Sequence, residues 1–300
     1  MAEYTIKNRF EIRKLGPQHL PWAKAIITHS NIFHSPIWKE IYPSHKTQRA
    51  YKTFAACDYL ISHQINSGLS YGVFDTQYKF KRETSSKTSK EGGGGGGGGA
   101  LYWDENDASA TGEELLSQMD FPLVSIAMAL DQADPLDLPR LAPLIDALPF
   151  YADVQHQIEK LDTRDPATWS ASAPKQVMLR NGTATRADYE GFGIMKETAH
   201  FLMRKAASQG FGAISIECLH DAVCHVWMNP PEPFRASLVA QFNVNQYEKE
   251  DEEGKVVVPY PGVNQLAMYK NDNETSPNSS DNKDGDTPAA LIPQETEQFP

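Results

Sequence analysis

Residues 10–15 (FEIRKL) alternate between apolar and polar positions, the period of a half-buried strand. Pro17 and Pro21 follow, and the pattern then predicts a helix over 22–30. The aromatic stretch 31–45 is broken by Pro36 and Pro43. Phe54, Cys57, Leu60, Ile61 and Ile65 recur at helical spacing, so 50–66 reads as one helix closed at Gly68. Residues 69–80 (LSYGVFDTQYKF) are β-branched and aromatic and read as strand. Residues 121–130 (FPLVSIAMAL) form a near-continuous apolar run, expected for a strand buried on both faces. Beyond Pro135 and Pro139, 141–148 and 151–161 read as two short helices. The remainder alternates: strand 176–180, helix 194–208 ended by Gly210, strand 213–218 (AISIEC), short helix 221–227 and strand 235–247.

Two segments break this order. Residues 81–119 contain a low-complexity stretch with eight consecutive glycines at 92–99, too poor in apolar surface to offset its ordering entropy. Residues 271–300 are polar and acidic and are expected to form a disordered tail. The expected architecture is α/β (α+β): one domain over 1–270, with a flexible insertion at 81–119 and a helical insertion at 131–175.

Bulk properties narrow the function classes. The chain has 300 residues, 40% of them apolar, enough for a substantial core. A net charge of −11 argues against broad nucleic-acid binding, which needs a basic face, and suits a cationic substrate such as an amine. Three cysteines fit a reducing compartment better than a disulfide scaffold. No secretory signal and no run of about 20 apolar residues is visible. The expected location is the cytoplasm or nucleus, with no membrane partner.

The informative stretch is residues 180–196, RNGTATRADYEGFGIMK. It joins a strand to a helix, and Gly191 and Gly193 stand at the junction. The first N–H groups of a helix have no intrahelical acceptor, and the helix dipole favours an anion there. Glycines let the backbone approach such a ligand closely. Residues 176–218 thus read as a βαβ unit with a phosphate or pyrophosphate site near Gly191–Lys196. A dinucleotide fold would use a similar device, but Lys196 occupies the place of the third glycine of G-x-G-x-x-G.

The segment YEGFGIM (189–195) resembles the acyl-CoA loop of the GNAT N-acetyltransferase superfamily, Gln/Arg-x-x-Gly-x-Gly/Ala. Gly193 matches its central glycine, whereas Glu190 and Met195 depart from it. The strand–loop–helix–strand–helix–strand order is similar too. LPRLAPLIDALPF, RNGTATRADYEGFGIMKE and IECLHDAVCHVWMNPPEPF resemble fungal proteins of that superfamily. The resemblance implies a mixed central sheet flanked by helices, acetyl-CoA or another acyl-CoA as cosubstrate, and transfer to an amine of a small molecule or protein. The cradle would comprise Tyr189, Gly191, Phe192, Gly193, Ile194, Met195 and Lys196, with Arg180 and Arg186 as cations for the phosphates.

Such a transfer needs a base for the amine and an acid for the departing thiolate. In AISIEC, Ile214, Ile216 and Cys218 share one face, so Glu217 points to the other and is the candidate base. The resemblance implies a tyrosine acid on the following helix, but Trp227 stands near that place and indole N–H is no acid. Cys224, His225 and Tyr189 are the substitutes. Cys218, His220, Cys224 and His225 match no standard zinc spacing, so no metal is expected. Three readings emerge: an acyl-CoA-dependent N-acyltransferase, a protein of that fold that binds acyl-CoA without catalysis, and a nucleotide-binding oxidoreductase. Neither the acceptor nor the oligomeric state is legible.

Overall fold

The computed structural model describes residues 3–87, 98–251, 253–263 and 267–274. Eight strands form one sheet: β1 (Tyr4–Ile6), β2 (Phe10–Lys14), β3 (Tyr71–Asp75), β4 (Leu123–Asp131), β5 (Val177–Thr185), β6 (Ala213–Cys218), β7 (Arg235–Asn243) and β8 (Ala267–Glu274). Their order is β1-β2-β3-β4-β5-β6-β8-β7. β5 and β6 pair in parallel and the other neighbours are antiparallel. The expected mixed sheet flanked by helices is therefore present.

One face carries α1 (Leu20–His29), α2 (Lys46–Ala56), α3 (Asp58–Asn66) and α4 (Pro149–Leu161). The other carries α5 (Ile194–Ser208) and α6 (Asp221–Met228). β4 explains its unbroken apolar run by this sandwiching. Leu123, Ile126 and Met128 enter the core under α1, while Val124, Ala127 and Ala129 enter the core under α5.

Several expected boundaries move, each for a tertiary reason. The helix read over 50–66 divides at Cys57, and α2 begins earlier, at Lys46. The strand read over 69–80 stops at Asp75, whose carboxylate accepts the Gln77 N–H at 3.0 Å and turns the chain. Residues 181–185, read as loop, are the second half of β5: Ser125–Ala127 of β4 are the ladder partners of Thr183–Thr185, so backbone pairing overrides a polar side-chain pattern. The insertion is folded over most of its length. Ala100–Leu101 pair with Met119–Asp120, a helix spans Gly112–Ser117, and the Trp103 indole N–H donates to the Leu115 carbonyl at 2.8 Å. The run 92–97 lies outside the described residues.

The expected tail boundary at 271 also moves. β8 inserts between β6 and β7 and hydrogen-bonds to both, so a polar segment becomes an interior strand through its backbone groups. Residues 275–300 lie outside the description.

Candidate active site

The parallel ladder between β5 and β6 is short. It joins Val177–Arg180 to Ala213–Ile216 and then ceases. Beyond it, β5 stays with β4 and β6 stays with β8, so the two strands part as a V. A bulge marks the parting: Ala129 pairs with Arg180 and Ala127 with Thr183, leaving Asn181 and Gly182 without ladder partners. Gly182 has φ +108°, a conformation that strongly favours glycine. A cavity of about 670 Å³ occupies the V and continues beneath α1, α3 and α4.

α4 spans the two arms. Tyr151 and Gln155 lie one helical turn apart on one face. The Asn181 side-chain amide on β5 donates to the Tyr151 hydroxyl at 2.8 Å, and the Gln155 amide donates to the Glu217 carboxylate on β6. The helical insertion thereby clamps both strands at the cavity.

Glu217 faces this cavity, opposite Ile214, Ile216 and Cys218, which enter the core under α5. Burial raises its carboxyl above the usual carboxylate range, against the pull of the Gln155 amide and of Lys270. What it exposes opens onto the cavity, so protein surroundings set its proton affinity. Lys270 is its cross-strand partner on β8, yet its ammonium bonds Asp162 at 2.8 Å. Glu217 consequently keeps no direct ion pair among the described residues. Tyr151 is also held protonated: burial raises its phenol to about 12, Asn181 lowers it, and Glu217 raises it.

The glycine loop runs along the cavity edge. Gly191 (φ +79°) and Gly193 (φ +77°) are both left-handed, and Gly193 is the N-cap of α5. Glu197 is the first residue of α5 whose N–H bonds back, to the Gly193 carbonyl at 3.3 Å. The N–H groups of Ile194, Met195 and Lys196 precede it and have no intrahelical acceptor. These three residues, with Gly191 and Gly193, line the cavity.

The loop is pinned before any ligand arrives. The Tyr189 hydroxyl donates to Asp75 at 2.9 Å, and the Arg9 guanidinium holds the same carboxylate at 2.8 Å and 3.0 Å. Burial alone would raise Asp75, but Arg9, the Gln77 N–H and Tyr189 together hold it below the usual range. Phe192 packs edge-on against Phe10 at 5.6 Å and is partly exposed outside the cavity lining.

The remaining sequence candidates separate. Arg186 is fully buried and committed: it binds Asp188 at 2.7 Å and the Phe121 carbonyl at 3.0 Å, so it faces no phosphate. Tyr189 is no proton donor to a substrate, because its hydroxyl is spent on Asp75 and its phenol is raised by burial. Cys224 is buried and His225 lies against Asn229; neither lines the cavity. Trp227 is buried behind the sheet, 2% exposed. His220 accepts the Ala222 N–H at 3.0 Å and caps α6. Among the described residues no cluster of His, Cys, Asp or Glu is arranged for a metal, and no helix is long and apolar enough to cross a membrane. Arg180 lines the cavity at the foot of the V, away from the loop.

Four residues near the cavity carry no sequence signal. Lys7 sits in the β1–β2 hairpin, where Lys7 and Asn8 have positive φ, and its ammonium donates to the Phe192 carbonyl at 3.1 Å. It supplies the cation beside Gly193 that Arg186 does not. Tyr151, Gln155 and Lys270 arrive from segments read as an insertion and as the approach to a tail. Each contact spans a separation that no local pattern records.

No family model and no curated protein sequence matches this chain. Solved structures do. The C-terminal condensation domain of Ebony in complex with β-alanyl-dopamine is similar with a TM-score of 0.53 and 12% identity, over 88% of this chain and 98% of that one. Arylalkylamine N-acetyltransferase 2 from Aedes aegypti is similar with a TM-score of 0.50 and 9% identity, over 89% and 99%. At these identities the likeness is one of fold, and the fold is that of the GNAT N-acetyltransferases.

Proposed function

We propose that the chain is an acyl-CoA-dependent N-acyltransferase that moves an acyl group, acetyl in the simplest case, to an amine. One observation carries this reading. A cavity set in a splayed sheet has a carboxylate of raised proton affinity on one arm and uncommitted helix N-terminal N–H groups at its edge. The likeness of fold to N-acetyltransferases supports it.

Each part then has work suited to its chemistry. The N–H groups of Ile194–Lys196, with Lys196 and Lys7, receive the pyrophosphate. The bulged backbone at Asn181 and Gly182 offers N–H groups to the thioester carbonyl as charge develops there. Glu217 takes the proton of the amine. Its raised pKa makes it a stronger base than an ordinary carboxylate.

A second reading, acyl-CoA binding without turnover, draws on the absence of Cys224, His225 and Trp227 from the cavity lining. The oxidoreductase reading fits less well. A dinucleotide fold uses a largely parallel, doubly wound sheet, whereas this sheet has a single parallel pair. Calorimetry with acetyl-CoA, CoA and NADH, followed by thiol release across an amine panel, tests the three. The transferase reading expects CoA binding and thiol release. CoA binding with no release for any amine or acyl length would favour the second reading, and binding of NADH alone the third.

A further inference from the structure

Arg180 is the most deeply placed cation of the site. It is 2% exposed, it lines the cavity, and it stands on the last rung of the parallel ladder, where β5 and β6 part. Its neighbours come from four elements. One terminal nitrogen donates to the Met128 carbonyl on β4 at 2.7 Å, and the other to the Thr183 hydroxyl on β5. The Cys218 thiol on β6 lies near, and the Trp227 ring on α6 lies 5.8 Å from the guanidinium carbon. Among the described residues its Nε has no acceptor and no carboxylate pairs with it.

A guanidinium shut away from water without a carboxylate is costly, and a ring face compensates it only in part. Several other buried charges among the described residues are paired: Asp75 with Arg9, Asp162 with Lys270 and Arg164, Arg186 with Asp188. Asp120, without an ion pair among them, accepts from the Tyr78 hydroxyl and the Lys81 and Arg82 N–H groups; Arg180 has neither a carboxylate nor a full set of acceptors, and it stands at the cavity. Glu217 is on the face of β6 opposite Cys218 and forms no ion pair with Arg180 among the described residues.

We infer that Arg180 is an electrostatic seat for the coenzyme A thiolate, which leaves as an anion held by this cation. The inference rests on the acyltransferase reading. In the step, the amine nitrogen bonds to the thioester carbon, the carbon–sulfur bond breaks, and its electron pair departs on sulfur. The amine proton passes to Glu217 and on to solvent. No proton donor is then needed where Trp227 stands. Trp227 instead backs the guanidinium that replaces such a donor. Burial also lowers Arg180 to about 10, against an upward pull from Cys218.

The test titrates the thiol of bound CoA by its thiolate absorbance in the ultraviolet. Free CoA is the reference, and the desulfo-CoA complex is the blank for the protein's own cysteines. The bound thiol is expected to titrate about one pH unit or more below free CoA, about a tenfold change in acidity. Arg180→Lys should keep part of that shift and Arg180→Met should abolish it. A bound thiol that titrates like free CoA in the wild-type protein overturns the inference, whether or not Arg180→Met folds. An equal shift in wild type and Arg180→Met also overturns it. So does a strong preference for succinyl-CoA over acetyl-CoA with an unshifted thiol, since the anion would then belong to the acyl group. Failure of CoA to bind would instead remove the acyltransferase reading, and the inference with it.

Discussion

The glycines at the two ends of α5 allow a matched experiment. Gly193 begins the helix at φ +77° and Gly210 follows its end at φ +85°. A Cβ at Gly210 would meet nothing within 4 Å, and one at Gly193 would meet only the Lys7 ammonium, at 4.0 Å. Neither substitution creates a clash, so Gly193→Ala and Gly210→Ala both carry the cost of a left-handed alanine, about 1–2 kcal/mol. Lower chain entropy in the unfolded state offsets about 0.4–1 kcal/mol of it. Each variant should therefore lose about 1 kcal/mol of stability, a fall of about 2–4 °C in Tm.

Their effects on ligand should diverge. Gly193 lines the cavity at the α5 N-terminus, where the alanine methyl would stand beside the Lys7 ammonium, while Gly210 lies outside the cavity lining. Losing one charge-assisted contact there costs about 1.5–3 kcal/mol, or about tenfold to a hundredfold in Kd. Calorimetry with CoA on both variants, beside thermal melts, reads the two effects separately. An unchanged Kd in Gly193→Ala would refute the cradle. An equal loss in both variants would show that helix stability, and not contact, governs binding.

Glu217→Gln should cut kcat by about 10²-fold or more while the Kd for CoA holds, measured by steady-state kinetics and calorimetry. Because folding raises this carboxyl, its contribution to stability is complete below its unfolded value near about 4.3 and is lost as pH rises through the folded value. Glu217→Gln should accordingly melt higher than wild type at neutral pH and converge with it below about pH 4, and a lower Tm throughout would contradict the buried charge. Asp75 has the opposite sign: its depressed pKa contributes stability at neutral pH that is lost as pH falls through the folded value. Asp75→Asn should cost about 2 kcal/mol in urea melts, a figure kept low because Arg9 is partly exposed, and should weaken CoA binding by leaving Arg9 and Tyr189 one amide oxygen to share. Tyr151→Phe should cost about 1 kcal/mol by leaving the Asn181 amide without its acceptor, and Asn181→Ala in the Phe variant should cost less than in wild type.

Local pattern determined those parts of this protein that rest on local physics. Helix 194–208 and strand 213–218 carry their own periods and stops, and their bounds agree with the structure to the residue. Alternation along AISIEC placed Glu217 opposite the core, because a strand turns successive side chains to opposite faces. The two glycines before α5 were readable because a helix start needs its first N–H groups answered and a left-handed residue there favours glycine.

Tertiary structure decided the rest. The polar stretch 181–185 is strand because β4 pairs with Thr183–Thr185, and 267–274 is strand because β6 and β7 flank it, demands that side-chain hydropathy does not record. Arg180 and Arg186 look alike in sequence, yet Asp188 neutralises one and burial isolates the other beside the cavity. Tyr151, Gln155, Lys7 and Lys270 take their places through contacts far apart in the chain. Charge pairing and desolvation depend on distances across the folded molecule, and only the fold sets those distances.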